Sequence, residues 1–245
     1  SGGVMGTVKL LMQCRKKGSL ENISPKLGDF VRTNSEAIIG VKLKKTPQED
    51  FSKGIAISAG FHPDEKTHIE TVRYGKGQTA MALLTTLLSD RKIPLPGLIR
   101  WGIAVIRAPL QFIANFFPFN WARKTIILLV MQPIDNYLKL NYKPRWWRLG
   151  GFSMNSQSST GKKIPSHIPI GEKTAHTIMS KTGGTILTTY MDSIFDIPTT
   201  AHILGGACLG KNKDSGVIDE NFEMFNYPGM YVIDGSSVPS NLGVN

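Results

Sequence analysis

Segments rich in β-branched residues recur along the chain between helix-like segments, and this succession limits the folds open to it. The stretches AIIGVKLKK (37–45), GIAISAGFH (54–62) and THIETVRYG (67–75) have the composition of strands. Two more strands are predicted in KTIILLVMQPIDNYLKLNY (124–142), joined by a turn at PIDN (133–136). Buried strands followed by helices in a layered arrangement predict an α+β fold.

Helices are predicted by apolar spacing and by end signals. After a glycine turn, the apolar residues of VMGTVKLLMQCRKKG (4–18) fall at helical spacing, and Gly18 is a C-terminal stop. Further helices are predicted over 77–90 and 172–181, whereas SMNSQSSTGKK (153–163) is interpreted as a polar loop.

The most hydrophobic run is LIRWGIAVIRAPLQFIANFF (98–117), with Pro109 as a predicted kink. It carries one narrow polar stripe, made of Arg100, Arg107, Gln111 and Asn115. Two arginines and a proline argue against a transmembrane span. Two interpretations stay open: a core helix, or a helix that lies on a membrane or roofs a hydrophobic substrate cavity.

The composition favours a folded protein with an acidic partner. Of the 245 residues, 41% are hydrophobic and 19% charged, which argues against disorder. A formal net charge of +11 favours nucleic acid, anionic lipid or a phosphate-bearing cofactor. The lysines are scattered rather than clustered with aromatics, so no nucleic acid is expected. Two cysteines, Cys14 and Cys208, offer neither a disulfide framework nor metal-site spacing and favour a reducing compartment.

Three short motifs could carry chemistry. In TAHILGGACLGK (200–211), a histidine precedes paired glycines that let backbone approach a ligand closely. In MYVIDGSS (230–237), a predicted short buried strand ends at an Asp-Gly turn whose N–H groups could hold phosphate. SGGVMG (1–6) opens a helix, and helix N-termini suit anions. Each motif alone is a weak signal, since a lone histidine or glycine turn is more often structural.

Their order along the chain is more specific. A glycine turn with a helix comes first, then a strand-rich middle, then H-x-L-G-G-x-x-L-G-K, then V-I-D-G-S…L-G-V-N. This order resembles the C-terminal half of the glucose–methanol–choline (GMC) family of flavin oxidoreductases, and in particular its sterol oxidases. The resemblance is strong over 1–36 and 200–245 and weaker between them.

The resemblance implies FAD as cofactor and gives five residues a role. Gly3 corresponds to the family's third flavin-binding segment, and Asp234 and Gly235 to the strand end that meets the cofactor. His202 takes the place of the active-site histidine, and Asn245 that of the asparagine beside the flavin ring. A histidine suits the proton of an alcohol hydroxyl, and an asparagine amide can orient the substrate oxygen. Because the flavin carries the redox step, no metal is expected.

The resemblance also implies two domains. Residues 1–32 and 203–245 would be pieces of a Rossmann-like FAD-binding domain, and 33–202 an antiparallel-sheet substrate domain covered by helices. The family's sterol oxidases use a carboxylate in the substrate domain. Asp192 and Asp196 are near in sequence, but the resemblance fixes neither.

One family motif is missing from the sequence. No G-x-G-x-x-G occurs in the 245 residues, although this turn holds the pyrophosphate of FAD in the family. We therefore expect a fragment that lacks the N-terminal FAD-binding half, does not hold FAD stably and is inactive alone.

The expected activity of the complete enzyme is oxidation of a sterol or another bulky apolar alcohol. Contact with a membrane surface would involve 98–124. The sequence does not fix the location, and the two favoured ones are cytoplasmic and peripheral membrane. The alternatives are a non-catalytic, basic lipid- or nucleic-acid-binding module, or a homologue that has lost the chemistry.

Overall fold

The centre of the fold is a six-stranded antiparallel sheet, seen in a computed structural model that describes residues 2–145, 151–159 and 164–242. Its strand order is β3-β4-β6-β2-β9-β5, and β1–β10 and β7–β8 form two smaller antiparallel pairs. The strands are β1 (Arg32–Thr33), β2 (Ala37–Lys42), β3 (Ile57–Asp64), β4 (Thr67–Val72), β5 (Thr85–Leu87), β6 (Thr125–Met131), β7 (Leu138–Pro144), β8 (Phe152–Ser158), β9 (Thr185–Thr189) and β10 (Ile203–Leu204).

Most of the helices pack against this sheet, whereas the first packs against β7. They are α1 (Val4–Lys17), α2 (Gly97–Arg107), α3 (Pro109–Phe116), α4 (Trp121–Lys124), α5 (Pro169–Thr182) and α6 (Tyr190–Phe195), with 3-10 helices at Lys76–Leu84 and Gly235–Ser237. The predicted α+β class with antiparallel sheets is therefore confirmed. The first predicted helix is also confirmed, and Gly18 ends it in the left-handed conformation at φ 80°.

The two faces of the large sheet belong to different cores, because successive strand side chains point to opposite faces. One face packs against α5 and contains Ile39, Val41, Ile69, Leu128, Val130, Ile168 and Ala175. The helix lies so close there that a Cβ at Gly171 would meet Val130 Cγ2 at 2.6 Å. The opposite face, called the inner face below, contains Ile38, Val72, Tyr74, Met81, Ala82, Trp121, Ile127, Leu129 and Met131.

A third core joins the two ends of the chain. It contains Val4, Val8, Leu11 and Met12 of α1, together with Val31, Leu140, Ala207, Val217, Ile218 and Val232. Strand β1 pairs with β10, with Arg32 opposite Leu204 and Thr33 opposite Ile203. Leu140 of β7 also packs here, although it lies within the predicted substrate domain. The division at residues 32 and 203 stays a prediction.

Several local predictions are wrong or incomplete because tertiary pairing outweighs local pattern. The helix predicted over 77–90 is a 3-10 helix that ends at Leu84, after which Thr85–Leu87 pairs with β9. The polar loop predicted over 153–163 is strand β8 up to Ser158, while 160–163 lie outside the described residues. Strands β6 and β7 both exist but belong to different sheets.

The buried strand predicted at MYVID is also wrong. The segment forms only an isolated bridge between Glu223 and Tyr231 within the described residues, and Ile233 is 74% exposed. Val232 alone of the five is buried, where it joins the third core. The Asp-Gly turn that follows is present, as the 3-10 helix Gly235–Ser237.

The hydrophobic run 98–117 is two helices, α2 and α3, bent by 98° at the predicted kink. Arg100 points inward to Asp196, and the buried Asn115 donates to the carbonyl of Thr85. A plain core helix is not what forms, since Ile106 and Leu110 are 79% and 77% exposed. Within the described part of the chain, no single helix is long and apolar enough to cross a membrane; only this bent pair reaches that length and composition, and only when taken together.

An ion-pair cluster fixes α6 beneath α2. Arg91 pairs with Asp192 and with Asp196, and Arg100 also pairs with Asp196 at 2.5 Å. Asp192 accepts a further hydrogen bond of 2.8 Å from Thr188. Burial raises the pKa of Asp192 to about 6, although Arg91 and the Thr188 hydroxyl act in the opposite direction.

This pKa predicts how Asp192 couples folding to pH. Its folded value lies above the ordinary 3.8, so the group stabilises the fold fully below pH 4 and loses that contribution as pH rises through 6. Asp192→Asn removes the titration. We expect the free energy of unfolding of the variant, relative to the unmodified protein, to rise by about 2 kcal/mol between pH 4 and 7.

Urea unfolding at a series of pH values measures this difference. Asp214→Asn, at an exposed position, is the control and should leave the difference flat. A variant that instead loses relative stability as pH rises would mean that the Arg91 ion pair outweighs the burial of Asp192.

Candidate active site

A buried carboxylate stands at the start of β2. The side chain of Glu36 is fully buried. Its Oε2 accepts the N–H of Ala201 at 2.8 Å and the hydroxyl of Thr200 at 2.9 Å, and lies 3.1 Å from Nδ1 of His202. A buried charge is tolerated only where such donors surround it. His202 is therefore one of the groups that compensate the buried charge of Glu36.

This contact selects the form of the His202 imidazole. Nδ1 also lies 2.9 Å from Nδ2 of Asn34, a nitrogen that can only donate. One ring nitrogen cannot accept a hydrogen bond from Asn34 and donate one to Glu36 at once. The buried carboxylate has the greater need of a donor, so we assign the proton to Nδ1 and turn the Asn34 amide so that its oxygen faces the ring and its nitrogen faces the Thr200 hydroxyl. The other ring nitrogen, Nε2, is then the one that can accept a proton in the neutral ring. The side chain of His202 is 34% exposed, which leaves it accessible.

The paired glycines after His202 allow the segment to pass close to other backbone. Gly205 has φ +82°, and a Cβ there would lie 2.1 Å from the carbonyl oxygen of Phe30. Its N–H donates to the carbonyl of Gly235 at 2.9 Å. The structure thus brings the His-Gly-Gly motif and the Asp-Gly-Ser motif into direct contact.

Asp234 joins the same region to the first helix. Its Oδ2 accepts the N–H of Gly3 at 3.0 Å and the hydroxyl of Thr7 at 2.5 Å. Burial alone would raise the pKa of Asp234, but hydrogen bonds from Ser236, Thr7 and Gly3 lower it below its ordinary value. The anion expected at the N-terminus of α1 is therefore supplied by the protein itself.

The surface around Gly3 stays open. The residue has φ +92°, and a Cβ there would meet no atom within 4 Å. Gly3, Asp234 and Gly235 lie together, and Gly205 links them to the segment that carries His202. This open, glycine-lined edge fits the approach of a cofactor. Asn245 lies outside the described residues.

The two aspartates near in sequence do not lie in this cluster. The hydrogen-bond partners of Asp192 and the ion-pair partners of Asp196 lie in the cluster beneath α2. Two glutamates are better placed to be the carboxylate expected in the substrate domain. Glu36 precedes Ile38 by two residues and shares its side of the sheet, and its charge contributes to a raised pKa of Tyr74, whose first cause is burial.

Glu70 is the second carboxylate of the inner face. Ile69 packs toward α5, so Glu70 points the other way. It stands opposite Leu129, which in turn stands opposite Ile38, so Glu70 is two strands, about 10 Å, from β2. His68 Nε2 lies 3.2 Å from Glu70 Oε1.

Sequence reasoning missed both glutamates. Each lies beside or within a run of β-branched residues, in NSEAII and HIETV. The signal that could have found them is a carboxylate in phase with a buried strand face, where a charge is rare unless it is paired.

A cavity of about 830 Å³ lies elsewhere, between α5, β9 and the α2–α3 pair. Its wall includes Arg91, which is ion-paired, and His167, whose Nδ1 lies 2.7 Å from Glu172. His202 does not line it. Among the residues with described coordinates, no group of three or more His, Cys, Asp or Glu side chains could hold a metal ion.

The chain is similar in sequence to known proteins. The sequence model of the family described as GMC oxidoreductase matches residues 162–245. A protein named cholesterol oxidase from Mycobacterium tuberculosis (strain CDC 1551 / Oshkosh) is 40% identical over 250 residues, covering 100% of this chain and 43% of the relative. A cholesterol oxidase from Acinetobacter baumannii is 37% identical over 246 residues, again covering 100% of this chain and 43% of the relative.

The chain thus spans less than half of the length of these relatives. The resemblance drawn from the motifs is confirmed: residues 162–245 match the GMC oxidoreductase family, and the whole chain is similar to proteins named cholesterol oxidase.

Proposed function

We propose that this chain is part of an FAD-dependent oxidoreductase that oxidises the CH–OH group of a sterol or another bulky apolar alcohol. The observation that carries the proposal is His202, held through Nδ1 by a buried carboxylate and joined by Gly205 to the Asp234–Gly235 turn. Identity of 37–40% over the whole chain to proteins named cholesterol oxidase supports the sterol class.

His202 would act on the hydroxyl proton of the alcohol. With Nδ1–H donated to Glu36, its Nε2 is the nitrogen that accepts this proton as the CH–OH carbon is oxidised. FAD, when bound, supplies the acceptor for the hydride. Glu70 on the inner face is our candidate for the carboxylate that the family resemblance implies, and Asn245 for the amide that orients the substrate oxygen.

The cofactor would be held at the edge formed by Gly3, Asp234 and Gly235, where hydrogen bonds already fix the turn and the helix N-terminus. In this proposal, 1–32 and 203–245 belong to the FAD-binding domain and 33–202 to the substrate domain. Because G-x-G-x-x-G is missing from the sequence, we also propose that these residues need an N-terminal half for stable FAD binding and for activity.

Segment 98–124 is our proposed contact with a membrane surface from which an apolar alcohol is drawn. Ile106, Leu110 and Phe119 are each more than three-quarters exposed. Of the four basic residues in the segment, Arg107 and Arg123 are exposed, whereas Arg100 pairs inward with Asp196. Exposed apolar side chains beside basic ones are typical of helices that lie on anionic lipid.

Replacement of His202 tests the reaction. In the full-length, flavin-loaded protein, His202→Gln should slow anaerobic flavin reduction by a sterol about 10²-fold to 10⁴-fold, because it removes the proton acceptor. The decay of the flavin absorbance in stopped flow measures this rate, and retained flavin absorbance shows that the cofactor is still bound.

His176→Gln, at an exposed position on α5, is the matched control and should reduce the flavin at the unmodified rate. An unimpaired His202→Gln variant would contradict the assignment of His202. Failure of the unmodified protein to reduce its flavin with any alcohol of a sterol and long-chain alcohol panel would contradict the function itself.

The membrane contact is tested by vesicle sedimentation. The double variant Ile106→Asp/Leu110→Asp should lose most binding to phosphatidylserine-containing vesicles, because each change places a negative charge at the apolar lipid boundary. Leu10→Asp, at an exposed apolar position on α1, is the control and should bind normally. Equal loss in both variants, or no loss in either, would contradict a contact through this segment.

A further inference from the structure

Glu36 differs from an ordinary structural carboxylate in how its charge is compensated. All the hydrogen bonds it receives among the described residues go to Oε2, while the buried Oε1 has no partner there. The Oε2 donors come from three consecutive residues, Thr200, Ala201 and His202. The buried charge is therefore balanced by one short segment, whose last member is the histidine.

Hydrogen bonds of the Thr200 hydroxyl also fix the geometry of residues 200–202. The Thr200 hydroxyl is 3.1 Å from the backbone N–H of His202 and 3.3 Å from the side-chain amide of Asn34. Asn34 in turn lies on the chain between β1 and β2, and its carbonyl accepts the N–H of Gln132 at 3.0 Å. The imidazole is thus held through Glu36 and Asn34 by the residues that lead into β2.

We propose that Glu36 is the positioning residue of His202: it fixes the Nδ1–H tautomer and stabilises the imidazolium that forms when Nε2 takes the alcohol proton. The inference rests on the proposed function, since it assigns a partner to the residue proposed to receive that proton. One proton moves from the alcohol oxygen to Nε2, Nδ1–H stays on the ring, and Glu36 stays ionised throughout.

Electrostatics favours this role. A carboxylate in a water-poor site interacts with a new positive charge far more strongly than it would in water. The unpartnered Oε1 leaves part of the Glu36 charge uncompensated until His202 becomes cationic. The pair is therefore better matched after proton transfer than before it, which lowers the barrier to the transfer.

The same chain contains a matched pair that serves as a control. His167 Nδ1 lies 2.7 Å from Glu172 Oε1, so it is also a histidine bound through Nδ1 to a glutamate. That pair is on and before α5, on the opposite face of the large sheet. Glu36→Gln and Glu172→Gln remove the same charge from the same kind of pair, but only the first touches His202.

The kinetic test uses the full-length, flavin-loaded protein with a sterol. We expect Glu36→Gln to lower kcat and the rate of anaerobic flavin reduction about 10-fold to 10³-fold with KM nearly unchanged, because the effect arises during proton transfer. Glu172→Gln should leave both constants unchanged. A Glu36→Gln variant with the unmodified kcat would overturn the inference, as would a loss confined to KM.

The second test reads the tautomer directly and needs no variant of Glu36. In ¹⁵N-histidine-labelled, flavin-loaded protein, the His202 resonances are assigned by their loss in His202→Gln. We expect the neutral ring to carry its proton on Nδ1, with an unprotonated ¹⁵N shift at Nε2. A neutral ring protonated on Nε2 would overturn the inference even if Glu36→Gln fails to fold.

Failure of the proposed role of His202 and failure of the positioning role of Glu36 give different results. If His202→Gln reduces the flavin as fast as the unmodified protein, the proposed role of His202 falls, whatever Glu36 does. If His202→Gln is slow while Glu36→Gln is fast and the ring is protonated on Nε2, the proposed function stands and the positioning role of Glu36 is wrong.

Discussion

The buried charge of Glu36 is the constraint that sets the geometry of the candidate site. A carboxylate with no solvent contact must be met by donors, and the only ones the described residues provide come from 200–202. This requirement holds the segment before β10 against the start of β2. Since β10 pairs with β1 and touches the Asp234–Gly235 turn, the same contact fixes His202 relative to the edge formed by Gly3, Asp234 and Gly235.

The two faces of the large sheet differ in the polar groups that they carry. The face toward α5 is covered by apolar side chains and by the close approach of Gly171 to Val130, with the 830 Å³ cavity at its β9 edge. The inner face combines aliphatic and aromatic residues with two carboxylates, Glu36 and Glu70. An apolar wall with a few fixed polar groups is typical of binding sites for apolar ligands, because burial supplies affinity and the polar groups supply orientation, and this supports the substrate class that we propose. The alternation of strand side chains makes both faces from one set of strands.

The sequence predicts the parts of this architecture that depend on local pattern. Helix α1 and its Gly18 stop, the strands of 37–75 and the break at Pro109 follow from spacing, composition and backbone restriction. Strands β5 and β8 were not predictable in this way, since their polar or short segments become strands only by pairing with β9 and β7. The exposure of α2 and α3 could not be predicted either, because it depends on which other parts of the fold cover them.

The same distinction applies within the site. His202 and the Asp234–Gly235 turn are visible in sequence because glycines and a histidine at fixed spacing resemble a known family. Glu36 could not be identified from the sequence, since its position beside His202 depends on a contact between residues that are 166 positions apart. In our proposal the motif contains the group that reacts, whereas the residue that sets its tautomer and balances its charge is brought beside it by the fold. The proposed functional unit is therefore the pair of His202 and Glu36.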